Sequence, residues 1–191
     1  MGQPFHSSLA VPVAGGLLHV GVAGAPPGSA GAAVVVLVHG ITGSHRAWAP
    51  VVRRLENDLT ILAPDLRGRG DSAGLPGPYS MAAHAEDLVA LLDHTGSSRA
   101  VVAGHSMGGY VVARLAAEAP GRLSAAVLLW AARGLQNEER PLLPPEAIAD
   151  ARALLPHLVV REVPDTNHYF IVLGDREAGA VAGEINRLAS S

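Results

Sequence analysis

The chain contains 191 residues, of which 49% are hydrophobic and 16% are charged, and its formal net charge is −3. This composition excludes disorder over most of the chain and gives no electrostatic basis for binding nucleic acid. The sequence has no cysteine, which excludes disulfides and thiolate chemistry. Its basic residues are all arginine, which excludes a lysine Schiff base.

The N-terminal segment lacks the features of a targeting sequence. The first basic residue is Arg46, residues 1–20 contain no continuous apolar stretch, and the longest apolar run, Ala125–Ala132, is less than half a bilayer span. We therefore expect a cytoplasmic protein that does not bind a membrane. From its length we expect one domain over residues 1–191.

Short apolar strands alternate with helical segments along the chain. The predicted strands are, in order, 9–13, 17–22, 34–38, 59–63, 100–104, 123–130 and 158–163. The predicted helices are 46–57, 81–95, 107–119, 146–155 and 175–189. This order favours an α/β fold in which a mostly parallel, seven-stranded sheet is flanked by helices on both faces.

A Gly-X-Ser-X-Gly motif carries the strongest functional signal. It lies in the sequence GHSMGG, residues 104–109, between a predicted strand and a predicted helix. A serine on such a tight turn needs small neighbours, here Gly104 and Gly108, because larger side chains would collide. The pattern predicts Ser106 as a nucleophile, with the backbone N–H of Met107 aimed at a developing oxyanion.

Two further motifs follow neighbouring strands. HGITGS at 39–44 follows the strand 34–38, and DLRGRGDS at 65–72 follows the strand 59–63. With the serine motif, they make the chain resemble the α/β-hydrolase superfamily over nearly its whole length. The resemblance implies that the first loop supplies a second oxyanion N–H, that of Ile41, and that the second motif is a structural turn.

The superfamily places its catalytic base in a loop after the last strand, and the resemblance implies that His168 is this base. Among the other histidines, we expect His39 and His105 to pack within the motif turns. We expect His84 and His94 to be solvated on a helix rather than bound to metal. The remaining histidines show no metal-ligand spacing, so neither a metal nor an organic cofactor is expected.

The acid that would orient His168 departs from the superfamily's pattern. Trp130 and Gly134 stand where an acid would usually be found. We favour Glu138 as the acid, with Glu139 as the second choice. The alternative is that both glutamates are solvated charges in a polar loop.

The chain is also short for this superfamily. From Ser106 to His168 there are 62 residues, which leaves no room for a cap domain. Seven strands are one fewer than the superfamily's usual eight, so the strand 123–130 should pair directly with the strand 158–163. Without a lid the site should be shallow and favour small esters, and it should leave apolar surface for a homodimer to cover.

Two functions are consistent with these features. The first is a cofactor-free serine hydrolase that cleaves small carboxylic esters through a Ser106 acyl-enzyme, with His168 as base. A serine in the motif, rather than an aspartate, disfavours the superfamily's epoxide hydrolases and haloalkane dehalogenases. The alternative is a weakly active or inactive protein of the same fold that binds a small ligand or a partner.

Overall fold

The computed structural model describes residues 4–129, 158–159 and 173–191. Their strands form one sheet with the order β1-β2-β4-β3-β5-β6-β7. The strands are β1 (Ser7–Val13), β2 (Gly16–Gly24), β3 (Val34–Val38), β4 (Thr60–Pro64), β5 (Ala100–His105), β6 (Leu123–Leu129) and β7 (Leu158–Val159). The α-helices are α1 (Ala49–Val52), α2 (Met81–His94), α3 (Met107–Glu118) and α4 (Asp175–Ala189).

The sheet is mixed, with an antiparallel edge and a parallel centre. β1 and β2 form an antiparallel hairpin, and β2 also pairs antiparallel with β4. The pairs β3–β4, β3–β5, β5–β6 and β6–β7 are parallel. The parallel strands end at one edge of the sheet, which is where α/β folds usually bind ligands.

Two apolar cores hold the helices against opposite faces of the sheet. Alternate residues of β3 point to opposite sides: Val36 and Val38 pack in the core with α2 and α3, whereas Val35 and Leu37 pack in the core with α1 and α4. Both faces of the central strands are therefore buried, as the continuous apolar runs predict. The α/β fold with helices on both faces is confirmed.

Most predicted boundaries agree with the structure to within one or two residues. At the start of α2, the Ser80 side chain accepts a hydrogen bond from the Ala83 N–H at 3.2 Å, as expected of a helix N-cap. The predicted helix 146–155 and the segment 130–145 lie outside the described residues, as do residues 160–163 of the last predicted strand.

One predicted helix is wrong in extent. The segment 46–57 forms a 3-10 turn followed by the four-residue helix α1, and it does not continue to residue 57. The N–H groups of Arg54 and Leu55 bond to carbonyls three residues back, which tightens the last turn and ends the helix. The apolar spacing still predicted burial correctly, because Trp48 and Leu55 are both in the core.

The direct pairing of the last two strands is confirmed where it is described. Ala126 lies opposite Leu158, and Val127 lies opposite Val159. Within the described residues, β6 and β7 are therefore neighbours in the sheet, with no strand between them.

Candidate active site

Ser106 lies on a strained turn between β5 and α3. Its backbone has φ 54° and ψ −121°, and among the described residues it is the one non-glycine residue with a positive φ. The turn is held by two hydrogen bonds: the Ser106 N–H donates to the Leu129 carbonyl at 3.1 Å, and the Ser106 carbonyl accepts from the Gly109 N–H at 2.9 Å. The residue is half-buried. Strain of this kind, at a residue that solvent can reach, is typical of functional sites.

The two glycines of the motif are required by close backbone contacts. A Cβ atom on Gly104 would lie 2.3 Å from the Gly108 carbonyl oxygen, and one on Gly108 would lie 2.2 Å from the Val38 carbonyl oxygen. Real Cβ contacts essentially never fall below 3.0 Å. The N-terminus of α3 can therefore approach the end of β5 only because Gly104 lacks a side chain, and the end of β3 only because Gly108 lacks one.

The loop after β3 lies directly beside the serine. A Cβ atom on Gly40 would be 3.2 Å from the Ser106 Cβ. The next residue, Ile41, has 60% of its surface exposed, and its carbonyl oxygen accepts a hydrogen bond from the Arg69 Nε at 2.7 Å. Met107 is the first residue of α3, where the backbone N–H has no intrahelical acceptor. The chain thus brings the two predicted oxyanion residues to the same edge of the sheet as Ser106.

His39 is fully buried and fixes the shape of this loop. Its Nε2 accepts a hydrogen bond from the Leu66 N–H at 3.0 Å, so its Nδ1 carries the proton and donates to the Gly40 carbonyl at 2.7 Å. Burial is the main cause that lowers the pKa of His39 below its ordinary value, and the ring is neutral at pH 7. The prediction that His39 packs structurally is confirmed.

The turn after β4 is held by buried charges. Asp65 is fully buried and accepts hydrogen bonds from the backbone N–H groups of His45, at 2.5 Å, and of Asp71, at 2.8 Å. Burial alone would raise the pKa of the Asp65 carboxyl. These hydrogen bonds outweigh that effect and hold the pKa below its ordinary value. Arg67 makes a two-pronged ion pair with Asp87 of α2, at 2.6 and 2.8 Å. These contacts agree with the structural role expected of the turn.

Two features of the histidines were not predicted. His84 was expected to be solvated, but the structure buries it completely, and neither ring nitrogen has a hydrogen-bond partner in the described part of the chain. His19 and His45 meet the two aspartates Asp65 and Asp71, although their positions along the chain show no ligand spacing. Both features arise from contacts between distant segments, which local spacing does not reveal.

The remaining candidates are not described. His168, Glu138 and Glu139 lie outside the described residues, and their roles as base and acid stay predictions.

The fold and the turn define a class of α/β protein that holds a strained serine at the carboxyl edge of its sheet. A comparison with known families matches residues 33–141, more than half of the chain, to the family described as "alpha/beta hydrolase fold". The chain belongs to this family.

Individual relatives share parts of the chain. Lipase LipV of Mycobacterium tuberculosis is 41% identical over 102 residues, which are 53% of this chain and 38% of LipV. The structure of epoxide hydrolase A from Mycobacterium thermoresistibile is 29% identical with a TM-score of 0.56, and the match covers 78% of this chain and 44% of that one. The chain spans about two fifths of the length of the first curated relatives it matches.

A likeness of fold extends over almost all of the chain. A thermophilic esterase from Thermogutta terrifontis has a TM-score of 0.70 with 19% identity, and the match covers 96% of this chain and 98% of the esterase. At this identity the likeness concerns the fold alone. In the described part of the chain, no helix is both long and apolar enough to cross a bilayer.

Proposed function

We propose that the protein is a cofactor-free serine hydrolase that cleaves small carboxylic esters. The observation that carries the proposal is the positive φ of Ser106, since an L-residue is held in this conformation only where the surrounding structure enforces it. The relatives support hydrolytic chemistry, one being named a lipase and another an epoxide hydrolase. A serine at the turn favours acyl transfer over epoxide opening, which uses a carboxylate nucleophile in this superfamily.

The proposed reaction has two steps. His168 accepts the proton of the Ser106 hydroxyl as the serine oxygen attacks the ester carbonyl, and it then donates that proton to the departing alcohol. In the second step His168 takes a proton from water, which attacks the acyl-enzyme. His168 then returns that proton to the Ser106 oxygen as its bond to the acyl group breaks, which releases the acid and regenerates the serine. The N–H groups of Ile41 and Met107 hold the oxyanion, and each well-aimed donor contributes about 3 kcal/mol to the stability of the transition state.

An open site supports small, unselective substrates. Ile41, on the loop after β3, has 60% of its surface exposed. Tyr110, on the first turn of α3, has 49% exposed, and both residues lie near the serine. Apolar side chains exposed beside a nucleophile can contact the acyl or alcohol group of an ester.

The direct pairing of β6 with β7 favours a second candidate function. In the superfamily the catalytic acid usually follows one of the two strands that come after the helix behind the serine turn, which is α3 here. Among the described residues, one strand, β6, lies between α3 and β7. If no carboxylate orients His168, the protein would be a weakly active or inactive member of the family that binds a small ligand or a partner.

Labelling with a fluorophosphonate probe distinguishes these functions. We expect the wild-type protein to react covalently and to hydrolyse short p-nitrophenyl esters, and we expect Ser106→Ala to lose both properties. Ser98→Ala serves as the matched control, because Ser98 is an exposed serine in the turn before β5. Labelling that persists in Ser106→Ala would contradict the assignment of the nucleophile, and a wild-type protein that does not react would favour the inactive alternative.

A further inference from the structure

Two histidines and two aspartates form a compact cluster outside the proposed catalytic machinery. It consists of His19 on β2, His45 in the turn before α1, Asp65 directly after β4, and Asp71 in the following 3-10 turn. Each residue offers one nitrogen or oxygen atom, and the four atoms all lie within 4.8 Å of one another. We refer to these four residues as the His–Asp cluster.

The distances within the His–Asp cluster fit a shared ion. The Asp65 Oδ2 lies 3.0 Å from the His45 Nδ1, a contact that is also a hydrogen bond, and 3.3 Å from the His19 Nδ1. The Asp71 Oδ2 lies 3.8 Å from the other nitrogen of the His19 ring, Nε2. Zinc binds such nitrogen and oxygen atoms at about 2.0–2.2 Å, which in a tetrahedral site separates neighbouring ligand atoms by about 3.3–3.6 Å. If each residue contributes one atom, and His19 does so through Nδ1, small side-chain rotations would bring the four atoms into a coordination shell.

One nitrogen of the cluster is unsatisfied in the part of the chain that the structure describes. The His19 Nδ1 is buried and has no hydrogen-bond partner among the described residues, although a carboxylate oxygen lies 3.3 Å away. A buried polar atom without a partner costs about 1–3 kcal/mol. Coordination of a cation through its lone pair would satisfy this nitrogen and would also bring it into contact with Asp65 through the ion.

The surroundings of the cluster resemble the outer shell of a metal site. The backbone N–H groups of His45 and Asp71 fix the Asp65 carboxylate, as hydrogen-bond donors commonly do for metal-ligating carboxylates. The Phe5 ring packs edge-on against the His45 ring with centroids 5.1 Å apart, and Gly21 leaves space for the same ring. A cleft of about 380 Å³, whose walls include His19, His45 and Asp71, connects the cluster to solvent.

The charge balance of the cluster favours a cation. The two aspartates carry two negative charges, and the Arg46 guanidinium, 2.9 Å from the Asp71 Oδ2, supplies one positive charge. Arg46 is 63% exposed in its side chain and can turn into solvent when a cation takes its place beside Asp71. Once Arg46 has turned away, the two aspartates present two negative charges to a divalent ion.

We propose that the His–Asp cluster binds a divalent transition metal of the zinc class. Two imidazole nitrogens and two carboxylate oxygens form a mixed ligand set that suits zinc and its neighbours better than calcium or magnesium, which prefer oxygen ligands alone. Four protein ligands make this a closed structural site, which ties β2 to the loops that follow β3 and β4. The proposal does not depend on the chemistry of Ser106.

The test is a metal titration of the full chain after removal of bound metal with a chelator. Binding of Zn²⁺ is measured by calorimetry, and Co²⁺ is used as a probe because its visible absorption reports tetrahedral coordination. We expect one tight site in the wild-type protein. We expect His19→Gln and Asp71→Asn each to weaken that site at least about tenfold and to abolish the tetrahedral Co²⁺ spectrum.

Both substitutions fall at partly exposed positions, so the folded protein is retained more readily than after substitution of Asp65. Far-UV circular dichroism checks each variant, and His94→Gln is the matched control because His94 is an exposed histidine at the end of α2. The proposal is overturned if the wild-type protein binds no Zn²⁺ tightly, or if His19→Gln and Asp71→Asn bind it as well as the wild type and His94→Gln do. The cluster would then be a metal-free network around the Asp65 carboxylate.

Discussion

His84 has an unusual environment for a histidine. It faces the core from the first turn of α2 and is fully buried, and neither ring nitrogen has a hydrogen-bond partner within residues 4–129, 158–159 and 173–191. Burial lowers the pKa of His84 from 6.5 to about 4, and the nearby guanidinium of Arg69 acts in the same direction. The ring is therefore neutral in the folded protein at pH 7, while in the unfolded chain it titrates near pH 6.5.

This difference makes folding stability depend on pH. Above pH 6.5 the ring is neutral in both states and does not affect the pH dependence. Between pH 6.5 and about 4 the unfolded chain binds a proton that the folded protein does not, so the free energy of unfolding falls as the pH falls. A pKa difference of this size corresponds to a fall in the free energy of unfolding on the order of 3 kcal/mol across this pH range.

We predict that His84→Leu weakens this pH dependence and raises the free energy of unfolding at pH 7. The substitution removes the titrating ring and two unsatisfied buried nitrogens, and the expected gain at pH 7 is about 1–3 kcal/mol. Urea denaturation at pH 7.5 and pH 4.5 measures both effects, with His94→Leu as the exposed control. Equal losses of stability on acidification in the wild type and in His84→Leu would contradict the prediction.

Arg69 is a positioning residue for the proposed oxyanion loop. Its Nε donates to the Ile41 carbonyl at 2.7 Å, and its Nη1 donates to the Arg67 carbonyl at 3.1 Å. The side chain therefore connects the turn after β4 with the loop beside Ser106.

We predict that Arg69→Met lowers kcat for p-nitrophenyl esters about tenfold with little change in KM. Loss of a whole oxyanion donor lowers kcat by about 10²–10³, and a displaced loop should cost less than that. The matched control is Arg114→Met, since Arg114 is an arginine on the exposed side of α3 whose partner is Glu118. An equal fall in kcat for the two variants would mean that Arg69 has no specific role at the site.

A buried ion pair holds α2 to the turn after β4. Arg67 and Asp87 each have 2% of their side chain exposed, and the Arg67 guanidinium also donates to the carbonyls of Pro76 and Ala14. Burial raises the cost of separating such a pair, because removal of one partner leaves a charge without compensation in the interior.

We predict that Asp87→Ala lowers the free energy of unfolding by about 3–5 kcal/mol. The exposed pair of Arg114 and Glu118 is the comparison, and Glu118→Ala should cost less than about 1 kcal/mol. Chemical denaturation of the three proteins measures the difference. A loss below 1 kcal/mol for Asp87→Ala would show that the buried pair contributes no more than a surface pair.

The elements that could be predicted from sequence are those with local causes. The continuous apolar run of β3 and the Ser80 cap of α2 each depend on a few adjacent residues, and both predictions are confirmed. Gly104 likewise has a local cause, because a Cβ there would collide with the carbonyl of Gly108 four residues later. The burial of His84 and the meeting of His19 with Asp65 depend on how distant segments pack, and no spacing along the chain contained that information.

The order of the strands in the sheet determines which loops can meet. β3, β4 and β5 are neighbours in the parallel part of the sheet, so the loops that follow them share one edge, and they carry Ile41, Arg69 and Ser106. The Ser106 N–H bonds to the last residue of β6, which places the end of that strand at the same edge.

The β6–β7 pairing also limits how a histidine after β7 could be oriented. Adjacent strands lie about 4.7–4.9 Å apart, so loss of one strand moves the following loop sideways by about that distance relative to Ser106. This exceeds the tolerance of a serine–histidine hydrogen bond, so a base that follows β7 would have to make up that distance to bond Ser106. The carboxylate that a missing strand would normally supply must come from elsewhere in the chain, and our candidate is Glu138.

We therefore predict a slow esterase whose residual rate depends on one glutamate. If Glu138 orients His168, Glu138→Gln lowers kcat by as much as about 10⁴, as in triads that lose their acid, while the neighbouring substitution Glu139→Gln leaves kcat within about twofold. The measurement is kcat for a short p-nitrophenyl ester across the pH range, because loss of the acid should also shift the pH at which the base deprotonates. Rapid turnover that neither substitution changes, or a crystal structure with an additional strand between residues 131 and 157, would contradict this account of the site.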